Sequence, residues 1–109
     1  MIKAYKLVRK MKDGQLAPLF IDKKARLPIG EWIEAQDVPT KGYAHRPGWH
    51  SCATPYAPHL AERDNRIWVE VAILGNERHK RPEHQGGTWF TSKWMMILRE
   101  VYDHEIIRD

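Results

Sequence analysis

The chain reads as a single mostly β, α+β domain with a split, twisted sheet and one short helix, and three observations predict this. Gly and Pro recur so densely, seven of each in 109 residues, that most windows between them hold five to ten residues; such windows suit strands better than helices. Residues 66–74 (RIWVEVAIL) alternate over nine positions with both faces largely apolar, the pattern of a strand covered on both sides. Eleven aromatics, five of them Trp, and 42% apolar residues suffice for one core, and this length leaves no room for a second.

Taken in order, residues 2–11 (IKAYKLVRKM) alternate imperfectly. Lys12, Asp13 and Gly14 make a turn, and residues 16–21 (LAPLFI) return as a partner strand, so the chain opens with a β-hairpin. Residues 27–35 (LPIGEWIEA) are extended but interrupted by Pro28 and Gly30; proline gives no N–H to a ladder, which predicts an edge strand. Residues 38–48 hold two Pro and two Gly and read as irregular, and residues 49–53 (WHSCA) as a short strand. The helix falls at residues 55–63 (PYAPHLAER), with Thr54 as cap and Pro55 in the first turn. Residues 66–74 are the central strand. Residues 75–87 (GNERHKRPEHQGG) read as a polar loop of thirteen residues, a length usually reserved for function or disorder. Residues 88–102 satisfy both periodicities; their β-formers predict a strand.

Charge and cysteine content narrow the function classes. Eighteen basic against fourteen acidic residues give +4 with six His besides, too little for a polyelectrolyte. The lone Cys52 makes no intramolecular disulfide. No apolar run is long enough for a signal peptide or a bilayer span, so the expected location is the cytoplasm of the cell that makes it, with no membrane partner.

The densest chemistry lies in residues 46–60 (RPGWHSCATPYAPHL). His50 and Cys52 sit two apart and on a strand share a face at roughly 6.5–7 Å, too far for a Cys–His catalytic pair. His45, His50, Cys52 and His59 offer zinc-type ligands without the usual paired spacing. Gly86 and Gly87 let a backbone approach a ligand or make a tight turn into Trp89. Lys6, Arg9, Lys10, Lys12, Lys23, Lys24 and Arg26 are interleaved with aromatics, the ingredients of a nucleic-acid-binding module. Glu70, on the second face of an apolar strand, needs a partner such as Arg9 or Arg99 if it is buried.

The opening KAYKLVR, the central GWHSCATPYAPHL followed by RIWVEV, and the late QGGTWFTSKWMMILRE resemble small uncharacterised bacteriophage and prophage proteins. Those proteins carry a Gly-aromatic-His-x-Cys-x-x-Pro stretch followed by an Arg-x-x-x-Val-Glu-Val strand. More distantly, residues 47–60, 66–74 and 88–101 resemble, in order, the later parts of the ADP-ribosyltransferase fold. That resemblance implies a site for NAD or a related nucleotide, with Lys6 or Arg9 at the first-strand position and Trp49 and His50 at the second. A catalytic Glu would lie within residues 83–88, where only Glu83 is acidic and Gln85 or Thr88 stands in the expected place. The expected protein is a phage-encoded accessory factor, a counter-defence factor in one form, that binds a nucleotide-like ligand or a host protein. Its binding residues would be Lys6, Arg9, Trp49, His50, Glu70 and Gln85. The alternatives are an active ADP-ribosyl-transferring or NAD-cleaving enzyme using Glu83, and the basic nucleic-acid-binding module.

Overall fold

The computed structural model describes residues 1–19, 25–35, 48–57 and 65–107. Its radius of gyration, 13.1 Å, is that of a compact chain of this length. Six strands form one sheet: β1 (Ile2–Lys10), β2 (Leu16–Ala17), β3 (Trp32–Glu34), β4 (Trp49–Cys52), β5 (Arg66–Lys80) and β6 (Thr88–Glu100). All named strand pairs are antiparallel. The mostly β expectation holds.

Pairing runs in a ring. β1 lies along β5 from Ile2↔Ile73 to Arg9↔Arg66, β5 along β6 from Val69↔Glu100 to Lys80↔Thr88, β6 against β4 from Cys52↔Trp89 to Trp49↔Ser92, and β4 returns to β1 at Tyr5↔Cys52. The split is visible along β6. Its first half pairs with β4, while Trp94, Met95 and Met96 pair with β3. The hairpin at the start forms as the sequence predicts, with Met11 N–H donating to the Gln15 carbonyl at 2.8 Å; of the described residues 16–19, Leu16 and Ala17 pair back on β1, and residues 20–21 lie outside the described residues.

Two apolar clusters hold the ring. Ala4, Val8, Val69, Val71, Ile73, Phe90, Met95 and Ile97 fill one side, joined by Leu16 and Leu27. Leu7, Ala57, Trp68 and Val101 form the other, with Tyr5, Cys52 and Ile106 packed against them. The β5 alternation is as expected. Val69, Val71 and Ile73 enter the first cluster and Trp68 the second, and β1 and β6 flank the strand on either edge.

On β6 the core-facing positions change parity. Met95 and Ile97 face the core in the second half, and Phe90 in the first, across an exposed Lys93. Register with β5 is unbroken from Leu74↔Trp94 to Asn76↔Ser92, so no inserted residue causes the exchange. The exchange falls where β6 passes from β4 to β3 as its second neighbour. Gly75 lies opposite Lys93 at φ +63°, where a Cβ would come within 3.2 Å of the Lys93 Cβ.

Two expectations are corrected. Residues 75–87 are not a thirteen-residue loop. β5 continues to Lys80, and a 3-10 turn at Glu83–Gln85 completes a hairpin with β6. The Asn, Glu, Arg and Lys of that stretch hid a strand because polar residues on an exposed edge carry no apolar alternation. Residues 55–57 carry no helix, and the rest of the expected helix, residues 58–63, lies outside the described residues. The short helices among the described residues are the 3-10 turns at Glu83–Gln85 and Asp103–Glu105.

Candidate functional site

The ring brings β1, β4, β6 and the outer half of β5 to one corner. The ladders align Tyr5, Cys52, Trp89 and His79 in one row across four strands, and His50, Thr91 and Glu77 in the next. Lys6 follows Tyr5 and sits between Ala4 and Val8 on the core-facing side of β1. Its Nζ donates to the His50 carbonyl at 2.6 Å and stands 5.8 Å from the Trp49 ring centroid. Burial pushes the Lys6 ammonium down to about 8, partly opposed by the charge of the Cys52 thiolate form. The Cys52 thiol is pushed up by burial, against the pull of Lys6 and Arg81. It stays protonated near neutral pH, and a protonated thiol is a poor nucleophile.

Trp89 is the centre of the outward-facing row. Its ring lies 4.5 Å from that of His79 and 5.1 Å from that of His50, and the Arg81 guanidinium lies over it at 3.9 Å, close enough for a cation–π contact. His79 Nε2 and Thr91 Oγ1 are 2.9 Å apart. Trp89 is only 5% exposed, so it serves as a scaffold that spaces imidazole and guanidinium groups rather than as an open stacking surface. Trp49 is half-buried and donates from Nε1 to the Ile33 carbonyl at 2.9 Å, which fixes β4 to β3. Gly48 enters β4 at φ +108°, where a Cβ would meet the Ser92 carbonyl oxygen at 2.8 Å; only glycine brings Trp49 this close to β6. Beneath, the hydroxyls of Ser51 and Ser92 are buried and have no hydrogen-bond partner among the described residues.

Of the residues expected to bind, Lys6, Trp49 and His50 come together here. The others do not join them. Arg9 lies four residues beyond Tyr5, roughly 13 Å along the strand, and its Nε donates to the Pro18 carbonyl at 3.0 Å. Glu70 is 8% exposed and belongs to an ion network, with Arg99 Nη2 at 3.1 Å and Lys3 Nζ at 3.7 Å. Arg99 also donates to both Glu105 oxygens at 2.9 Å. That pairing raises the Arg99 guanidinium further and holds the Glu105 carboxyl down to about 2, with help from the Tyr102 N–H. Arg99 is one of the two partners the sequence offered for a buried Glu70, and Arg9, the other, donates to the Pro18 carbonyl. Glu83 and Gln85 lie in the 3-10 turn at the hairpin tip, Glu83 exposed and the Gln85 N–H donating to the Pro82 carbonyl at 2.8 Å.

His45 and His59, the outer members of the zinc-type set, lie outside the described residues. Among the described residues no group of three His, Cys, Asp or Glu side chains is placed to hold a metal. No described helix is long and apolar enough to cross a membrane. The sequence reading passed over Arg78, His79, Lys80 and Arg81, four basic residues in succession whose clustering was the available signal. A separate shallow groove of about 380 Å³, lined largely by Leu16, Leu27, Pro28 and Ile29, lies beside β2. No protein family, curated protein or solved structure matches the chain.

Proposed function

We propose that this chain is a non-catalytic binding protein whose ligand is a phosphate-bearing, nucleotide-like molecule held at the β1–β4–β6–β5 corner. The observation that carries the reading is the gathering of His50, His79 and Arg81 around Trp89 on the outer face of this corner, with Lys6 beside Trp49 on the core-facing side of the same strands. Arg81 supplies donors and charge for oxyanions at the outer face, and Lys6 and Trp49 hold β4 in place from the core-facing side. Cationic groups on an aromatic scaffold favour anionic ligands. Among these groups, a protonated Cys52 and an amine bonded to a carbonyl support holding a ligand rather than attacking one.

Thermal melting against NAD, ADP-ribose, a cyclic nucleotide and a short oligonucleotide tests the reading. A ligand at a hundredfold excess over Kd adds about 2.7 kcal/mol, which for this chain length raises Tm by roughly ten degrees or more. Lys6→Met and Trp49→Phe are expected to abolish or sharply reduce that shift. NAD incubated with the parent and with Glu83→Gln should survive equally in both; its consumption by the parent alone would replace this reading with the enzymatic one.

A further inference from the structure

We propose that the outer half of β5, residues 74–80, docks an extended acidic segment of a protein partner by strand addition. β1 covers β5 only as far as Ile2↔Ile73, whereas β6 pairs with it to Lys80. Residues 74–80 therefore present one ladder edge that no strand among the described residues occupies. Seven residues span roughly 23 Å, longer than a typical strand. Natural proteins shorten, bulge or cover such edges, yet here the register runs unbroken from Leu74↔Trp94 to Lys80↔Thr88. The edge is also firmly backed, because β6 is held on its far side by β4.

Side chains on this edge define the partner. Leu74, Asn76, Arg78 and Lys80 alternate onto one face, and Leu74, Arg78 and Lys80 are exposed. Arg78 and Lys80 make no ion pair among the described residues. Two copies of this edge would place like charges together, which disfavours self-pairing. An incoming strand gains most with acids opposite Arg78 and Lys80 and an apolar residue opposite Leu74. Nucleic acid would meet the same charges but leave the backbone donors and acceptors and Leu74 unused. Strand addition uses all three, drawing affinity from main-chain bonds and specificity from alternate side chains. The edge shares His79 with the nucleotide reading but uses neither Lys6 nor Trp49, so the two readings fail separately.

The test is amide-resolved NMR of the full chain with the capped peptide Thr-Glu-Thr-Glu-Thr-Thr-Thr-Val. Its controls are a counterpart with Lys in place of Glu, a version N-methylated at alternate amides, and a thymidine oligonucleotide. The acidic peptide is expected to shift residues 74–80, slow exchange of their amides, and bind at least about tenfold more tightly than the Lys peptide. N-methylation should abolish binding. The double variant Arg78→Glu, Lys80→Glu should reverse the charge preference, and Lys6→Met should leave peptide binding unchanged. Shifts elsewhere, equal binding of the N-methylated peptide, no binding on the order of 1 mM, or displacement of the peptide by the oligonucleotide would each overturn the proposal.

Discussion

The two halves of the β5–β6 ladder share one register from Val71↔Ile97 to Lys80↔Thr88, yet they do opposite things. Below Gly75, Val69, Val71, Ile73, Met95 and Ile97 are essentially without solvent exposure and form the centre of the core. Above it, β5 carries Asn, Glu, Arg, His and Lys, and β6 carries Phe90 and Ser92 inward while Trp89 and Thr91 lie beneath imidazole and guanidinium groups. Pairing fixes where the strands run. Side-chain composition decides which half stabilises the protein and which half meets other molecules.

The sharpest way to break that contrast is Met95→Ala in the lower half, expected to cost about 2–5 kcal/mol by urea unfolding, because a fully buried side chain leaves a cavity. Gly48→Ala should cost roughly 1–3 kcal/mol. It combines positive φ with a 2.8 Å clash against Ser92, and it should also weaken the nucleotide-dependent Tm shift. Lys6→Met should have opposite effects on stability and binding. A lysine whose folded pKa lies near 8, below its ordinary 10.5, opposes folding while it is charged, and that penalty lifts as pH rises from 8 towards 10.5. The variant is expected to be more stable than the parent by about 1 kcal/mol at pH 7 and to lose the parent's gain in stability across that window. Ser92→Ala, in the upper half, should be neutral or stabilising by up to about 1 kcal/mol, since it removes a buried hydroxyl that lacks a partner. The smallest effect concerns the C-terminal turn. Glu105 is held near 2, so its contribution is present above the ordinary carboxylate range and fades as pH falls towards 2. A pH titration of Tm should flatten at its acid end in Glu105→Gln.

Much of the lower half was legible in the sequence. RIWVEVAIL announces a strand buried on both faces because Ile, Val and Trp alternate without a charged interruption except Glu70, and Glu70 meets Arg99 as its burial demands. The upper half was not legible. Residues 76–80 have the composition of a loop, and only pairing with Thr88–Ser92 makes them a strand. The site was half visible for the same reason. Lys6, Trp49 and His50 stand out by type within short strands, whereas His79 and Arg81 acquire meaning only when the hairpin lays them against Trp89. Arg9, Glu83 and Gln85 were drawn into the expected site by the resemblance and Glu70 by its place on an apolar strand; the register sets Arg9 and Glu70 apart, and Glu83 and Gln85 lie in the hairpin turn.

The ring also sets the order in which the chain can fold. β1 meets β5 across 57 residues of sequence at Arg9↔Arg66 and 71 at Ile2↔Ile73. A ribosome adding about 5–20 residues per second therefore leaves β1 without that partner for roughly 3–14 s. During that interval Ala4, Leu7 and Val8 have no core to enter, and Lys3, Lys6, Arg9 and Lys10 keep the waiting strand charged and apart from its copies. Such long-range pairing belongs to the slower end of two-state folding, so the cations of β1 protect the nascent chain before any of them serves the finished one.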